Sequence, residues 1–223
     1  KGNVFFKTST NQGPRKSQPG GELEEKWIWL RLKLIADIGL IGLPNAGKST
    51  LLSRVTAAKP KIADYPFTTL HPNLGVVHQD NKEFVIADIP GLIEGAHGGS
   101  GLGHRFLGHV ERCKGLLHLI DVTSENIKRD YFTIIRELEA YDTSLSEKKQ
   151  IIVLTKCDAV KDQKLNFAKE QLKKLNVKKV FGISSVSGEN ITKLVRQLQD
   201  LITSMNKLED NEDGLEKVSS WSP

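Results

Sequence analysis

Asp37 to Thr50 reads DIGLIGLPNAGKST, and this stretch decides the architecture. Its second part, Gly42-Leu43-Pro44-Asn45-Ala46-Gly47-Lys48-Ser49, meets the pattern G-x-x-x-x-G-K-[ST] at every fixed position. The apolar run Ile38–Ile41 feeds the loop as a strand, and the segment from Lys48 onward, including Thr50, leaves it as a helix. Glycine lets the backbone close tightly, so that N–H groups converge on phosphate oxygens. The helix N-terminus adds partial positive charge at the same point. In such a loop the lysine, Lys48, bridges the β- and γ-phosphates, and the hydroxyl of Ser49 ligates Mg²⁺. Alone, the motif specifies a nucleoside triphosphate without separating ATP from GTP.

Working outward, residues 37–208 repeat strand, loop and helix. Short apolar runs bounded by turn or charged residues predict buried strands at Ile38–Ile41, Phe84–Ala87, Leu116–Ile120, Ile151–Leu154 and Val180–Ile183. Thr69–Gln79 reads as one further strand, the antiparallel edge. Helices are expected at Lys48–Ala58, Gly103–Cys113, Ser124–Tyr141, Leu165–Leu175 and Asn190–Met205. This alternation predicts an α/β fold with a doubly wound, mostly parallel sheet flanked by helices. Residues 1 to about 26 read as irregular, because Asn11–Gly21 (NQGPRKSQPGG) is rich in residues that punctuate turns. Trp27–Ile35 (WIWLRLKLI) alternates apolar with charged, as a half-exposed strand does. Glu209–Glu216 (EDNEDGLE) is acidic and contains glycine, and a disordered tail is expected from 207 to 223.

Three later motifs bear on the base and the metal. Asp88-Ile89-Pro90-Gly91 follows the predicted strand Phe84–Ala87. A carboxylate at that strand end can hold Mg²⁺ through water, and the glycine can present its N–H to a γ-phosphate; taken alone, the four residues are better explained as a simple strand-to-loop turn. Thr155-Lys156-Cys157-Asp158 follows Ile151–Leu154. The Asp158 carboxylate accepts two hydrogen bonds from guanine N1–H and the exocyclic amine, a donor pair that adenine lacks. Asn is usual where Thr155 stands, so a weaker tie between loops is expected there. Ser184-Ser185-Val186 follows the last strand, where backbone N–H groups contact guanine O6.

Composition sets the outer limits. The 223 residues carry a formal net charge of +5, which permits a phosphate-rich partner without demanding one. Two cysteines, Cys113 and Cys157, allow at most one bridge, and a reduced, cytoplasmic setting is the simpler reading. No apolar run approaches the roughly 20 residues that a membrane-spanning helix needs.

These residues resemble one family and not only a fold. Asp37–Thr50, Asp64–Val77 (DYPFTTLHPNLGVV), Asp88–Phe106 (DIPGLIEGAHGGSGLGHRF) and Phe6–Arg15 (FKTSTNQGPR) are similar to Obg GTPases, and the resemblance runs over nearly the whole chain. It implies a phosphate-loop G domain over residues 36–206 that binds GTP and GDP. Residues 1–35 are then the end of an Obg-type glycine-rich domain and a linker. It implies that Phe67-Thr68-Thr69-Leu70-His71 is switch I, with Thr69 ligating Mg²⁺ beside Ser49. It further implies engagement of the large ribosomal subunit during its assembly and a part in growth and stress control; a monomer is expected.

Classical small GTPases place Gln directly after the Gly91 position, where it orients the attacking water. This chain has Leu92, which cannot hold a water, so slow GTP hydrolysis is expected unless another group or a partner assists. Asn45 has two readings. It resembles the asparagine of GTPases activated by K⁺, where its carbonyl helps hold the cation near the transferring phosphoryl, or it only shapes the loop. Catalytic candidates are therefore Lys48, Thr69, Gly91 and Asn45. His97, His104 and His109 lack the ligand spacing of a zinc site and read as surface or partner-contact histidines. Lys161–Lys179 carries lysines over an apolar stripe of Leu165, Phe167, Leu172 and Leu175. A solvated helix face is favoured there, with ribosomal RNA as the other reading. A phosphate-loop ATPase or kinase, disfavoured by Asp158, and a binding scaffold with little turnover, kept open by Leu92, are the competing functions.

Overall fold

The computed structural model describes residues 3–13, 21, 23, 25, 34–56, 61–62, 72–89, 108–175, 177 and 179–216, with backbone alone at 61–62 and beyond 207. Among these the chain divides into two compact units, 1–32 and 33–223. In the smaller unit, Asn3–Phe6 forms a 3₁₀ turn. Thr8 and Asn11 exchange two backbone hydrogen bonds just after it. The boundary falls before the expected residue 35 for a physical reason. Ile35 is buried, and its N–H donates to the Arg112 carbonyl at 2.9 Å, so it belongs to the larger unit. Trp27–Lys33, most of the strand expected before this point, lies outside the described residues.

The larger unit is built on a sheet of seven strands in the order β2-β3-β4-β1-β5-β6-β7. The strands are β1 Ala36–Ile41, β2 Lys61–Ile62, β3 Asn73–Gln79, β4 Lys82–Asp88, β5 Cys113–Asp121, β6 Gln150–Thr155 and β7 Val180–Gly182. Strand β1 pairs parallel with β4 on one side and β5 on the other, and β6 and β7 continue in parallel. Strands β2, β3 and β4 pair antiparallel. The described helices are α1 Lys48–Val55, α2 Ile127–Tyr141, α3 Thr143–Glu147, α4 Asp162–Lys173 and α5 Ile191–Glu216. Side chains alternate across the pleat, so successive residues of one strand serve opposite layers. Ile38, Leu40, Leu117 and Val153 pack with Leu51 and Leu52 of α1 and with Leu194, Leu198 and Ile202 of α5. Ile41 and Leu116 face Ile134 and Leu138 of α2, while Ile152 and Leu154 face Ala168 and Leu172 of α4. Burial on both faces is why the parallel strands read as unbroken apolar runs.

Several boundaries differ from expectation. Helix α1 ends at Val55 instead of Ala58, because Thr56 is extended and its N–H and hydroxyl both bond the Leu52 carbonyl. Helix α2 starts at Ile127, after Asn126 caps it by accepting from Arg129 N at 3.0 Å. Cys113 opens β5 and does not end a helix, and the helical turn before it stops at Glu111. Strand β3 is antiparallel as expected but not the edge, since β2 pairs beyond it. Phe167 is exposed, and Ala168 takes the buried place in α4 that the stripe assigned to it. His109 is buried instead of lying on the surface, in the helical turn that precedes β5. The acidic segment 209–216 continues α5 as helix, where a disordered tail was expected. Extending an existing helix carries no nucleation cost, and no proline stops it.

Leu117 is fully buried at the centre of the layer that α1 and α5 cover. Leu117→Ala is expected to lower stability by about 2–5 kcal/mol, read as a drop in the urea midpoint with an unchanged slope.

Candidate functional site

The loop between β1 and α1 is shaped by backbone conformations that few residues accept. Gly42 has φ +148°, and a Cβ there would lie 2.4 Å from the Leu119 carbonyl oxygen. Gly47 caps α1 at φ 92° with no side-chain capping bond. Asn45 also stands in the left-handed region, at φ 62°. Asparagine is among the few residues with a side chain that tolerate that region. The N–H groups of Gly47, Lys48, Ser49 and Thr50 donate to no described atom, which leaves four donors open at the start of α1. Lys48 Nζ donates to the carbonyls of Gly42 at 2.9 Å and Leu43 at 3.1 Å. Burial lowers the Lys48 pKa from its ordinary value, and the Asp88 charge acts against that shift. Open amides, a helix start and an ammonium together form a cradle for phosphate.

Asp88 sits at the end of β4, opposite Leu40 of β1. It is buried, and Ser49 Oγ donates to its Oδ2 at 2.5 Å. Its Oδ1 is shielded and has no described partner. A buried carboxylate oxygen left unpaired is costly unless a cation or a water meets it. A carboxylate beside a hydroxyl is a donor set that suits Mg²⁺, which keeps several waters of its own. Ile89 is fully buried under the sheet, so its side chain packs and does not face a ligand.

The second half of the candidate site lies past β6. Thr155 is buried, and its Oγ1 donates to the Ala46 carbonyl at 2.8 Å, with the Ile120 carbonyl a more distant acceptor at 3.3 Å. The tie between loops, expected to be weak with Thr in place of Asn, is thus direct. The threonine hydroxyl alone reaches the phosphate loop. Lys156 adopts φ 58°, and its Nζ pairs with Asp121 Oδ2 at 2.5 Å. Asp121 also accepts from Thr123 N at 2.8 Å and Thr123 Oγ1 at 2.7 Å. Partial burial acts to raise the Asp121 pKa, but the bonds from Lys156 and Thr123 outweigh it and hold the carboxyl below its ordinary value. Sequence reasoning missed this pair. Its available signal was an acidic residue at the carboxyl end of a predicted strand, where ligand-binding groups gather in open sheets.

Cys157 turns inward, and burial pushes its thiol up to about 11, so it stays neutral and packs. Asp158, next in the same 3₁₀ turn, is exposed and accepts no hydrogen bond from a described residue. Its carboxylate is free to take a ligand's donors. Ser184 is fully buried, with its N–H on the Glu189 carbonyl and its Oγ accepting from Ser187 N. Ser184 therefore builds the turn, and the N–H groups of Ser185 and Val186 are the ones without a described acceptor. Phe67, Thr68, Thr69, Leu70, His71, Pro90, Gly91 and Leu92 lie outside the described residues, as do His97 and His104. Both cysteines are free, and among the described residues no group of three or more His, Cys, Asp or Glu could hold a metal.

Thr155→Val keeps the shape and removes the hydroxyl. It is expected to cost about 1–3 kcal/mol, because the buried Ala46 carbonyl loses its donor. Thermal or urea unfolding of the two proteins measures this, and Thr155→Ser is expected to recover most of the loss.

Comparison with known proteins fits this geometry. The family model described as 50S ribosome-binding GTPase matches residues 37–156, more than half of the chain. A model described as ethanolamine utilisation - propanediol utilisation matches residues 135–200. Among solved structures, Aquifex aeolicus Era Y63A bound to GDP.AlF4- is 24% identical with a TM-score of 0.57, covering 74% of this chain and 56% of that one. Era in complex with MgGDPNP and nucleotides 1506–1542 of 16S ribosomal RNA is 24% identical with a TM-score of 0.56, covering 76% of this chain and 57% of that one. The G domain of the T. maritima FeoB iron transporter is also 24% identical, at a TM-score of 0.56, covering 73% of this chain and 96% of that one. The chain thus spans little more than half the length of the Era structures and nearly all of the FeoB G domain. At these identities the structures bear on the fold, a GTPase G domain. The match over residues 37–156 carries the family: the chain belongs to the 50S ribosome-binding GTPases.

Proposed function

We propose that this GTPase binds GTP and GDP with Mg²⁺ between the loop at Gly42–Thr50 and the turns at Thr155–Asp158 and Ser184–Val186. The observation that carries this reading is the Thr155–Ala46 bond, which joins the phosphate cradle to the turn bearing the unoccupied acceptor Asp158. Lys48 and the open amides take the phosphates. Asp158 takes the guanine N1–H and amine, and the N–H groups of Ser185 and Val186 take O6. Ser49, with Asp88 behind it and Thr69 from switch I, would hold Mg²⁺, which supplies charge neutralisation between the β- and γ-phosphates. Gly91 would present its N–H to the γ-phosphate. Leu92 offers no group to orient water, so hydrolysis is slow without a partner.

By family resemblance the switch serves assembly of the large ribosomal subunit and growth and stress control, in the cytoplasm and as a monomer. Residues 1 to about 35 are then the end of an Obg-type domain. A ribosome-linked role is supported by the family description and by the neighbour solved with ribosomal RNA. No described helix is long and apolar enough to cross a membrane.

Titration with fluorescent GDP, GTP and ADP tests the site. Guanine nucleotides are expected to bind and ADP is not, and equal affinity for ADP overturns the reading. Asp158→Asn is expected to move preference to xanthosine nucleotides, because it exchanges an acceptor for a donor. Asn45 can be tested separately, since glycine also accepts its φ of 62°. If the Asn45 side chain helps hold K⁺, turnover of the native chain is faster in K⁺ than in Na⁺, and Asn45→Gly abolishes the difference. If it only shapes the loop, the two salts give equal rates in both proteins.

A further inference from the structure

A groove runs along the open edge of the sheet at β7, away from the phosphate loop. It is lined by Lys173 of α4, Lys179 and Phe181 at β7, and Lys193 and Arg196 of α5. All four cationic side chains are exposed. The groove shares Lys179 and Gln197 with a second cavity of about 550 Å³ at the amino-terminal ends of β6 and β7. That cavity is mostly apolar, with Tyr131, Ile152 and Leu201 in its wall. Besides Lys179 and Gln197, its polar side chains include Gln150, whose Oε1 has no described partner, Asp200 and Ser204. Asp200 is the one carboxylate lining either cavity among the described residues. Among the described residues the groove cations make one ion pair, and it is loose, Arg196 Nε to Asp80 Oδ2 at 3.6 Å.

Lysines on an edge strand can also serve to block pairing with other chains. That role explains neither the cations contributed by α4 and α5 nor the adjoining cavity with an amide oxygen that has no described partner. Cations beside an aromatic ring, leading into a base-sized apolar recess, are the elements that hold single-stranded nucleic acid. Asp200 and Ser204 add acceptors for a 2′-hydroxyl, which deoxyribose lacks. We propose that this edge holds a short stretch of single-stranded RNA, with phosphates along Lys173, Lys179, Lys193 and Arg196 and one base in the recess beside Tyr131 and Gln150. The site is separate from the nucleotide pocket and stands whether or not the chain engages a ribosome.

The test is fluorescence anisotropy of a labelled, unstructured 12-nucleotide RNA with the full chain, at saturating GDP and several salt concentrations. Four phosphate contacts predict a log–log salt slope of roughly −2 to −3. Lys173→Glu with Lys179→Glu, and separately Lys193→Glu with Arg196→Glu, are each expected to weaken binding by about tenfold or more and flatten that slope. Glutamate blocks edge pairing as lysine does, so a purely protective role predicts no RNA effect. Gln150→Ala is expected to weaken binding by a few fold with the slope unchanged. Arg136→Glu with Lys161→Glu carries the same charge change at exposed residues that line neither cavity and is expected to leave RNA affinity close to native. GDP affinity, read in parallel, confirms that each variant is folded and keeps failure of this proposal distinct from failure of the nucleotide site. Absence of RNA binding, an equal loss in the control pair, equal binding of the matching DNA, or displacement by polyglutamate as readily as by RNA would each overturn the proposal.

Discussion

The constraint on which the molecule depends is the parallel pairing of β1 with β4 and β5. Parallel strands all present their carboxyl ends on one side, so the loops that follow them must meet there. Ile41 opens into the phosphate loop, Asp88 ends β4, Asp121 ends β5 and Thr155 ends β6. The register Asp121↔Thr155 and Leu40↔Asp88 sets these groups at one level. Segments far apart in the chain then meet within hydrogen-bond distance: Ser49 with Asp88, Thr155 with Ala46, Lys156 with Asp121. Burial of β1 on both faces holds that register. A slip of one residue would send Ile38 and Leu40 to the wrong layer.

Within that frame the site divides its polar groups into two kinds. Some are consumed by structure: the Thr155 hydroxyl, the Ser184 backbone and hydroxyl, and the Lys156–Asp121 pair. Others are left open: the amides at the start of α1, Asp88 Oδ1, Asp158, and the amides of Ser185 and Val186. At the phosphate-loop end the open groups are the α1 amides with Asp88 Oδ1, and at the far end they are the Asp158 carboxylate with the amides of Ser185 and Val186. That order suits a ligand with anionic phosphates at one end and a donor-bearing base edge at the other. The closed set makes the open set rigid, which is the condition for affinity without ordering cost.

The same parallel arrangement leaves β7 as an edge far from the phosphate loop, flanked by α4 and α5. Its cations come from three elements and converge only in the folded chain. Read along the sequence, Lys173 and Lys179 belong to a lysine run that a solvated helix explains well, and Lys193 and Arg196 lie apart from it.

The fold and the outline of the site were legible in the sequence because their signals are local. An apolar run, a glycine-bounded turn and a helix start sit within Asp37–Thr50, and backbone sterics act over a few residues at a time. The motifs at Asp88 and Asp158 were legible for the same reason, each following a short apolar strand. Helix ends were less so, since capping by Thr56 and Asn126 depends on side-chain rotamers. What only the tertiary structure decided was partnership across the sheet. Nothing local says that the Thr155 hydroxyl meets the Ala46 carbonyl, that Asp121 pairs with Lys156, or that Ser184 is closed while Asp158 stays open. Those outcomes follow from strand order and register, which pairing over tens of residues sets and no short stretch of chain encodes.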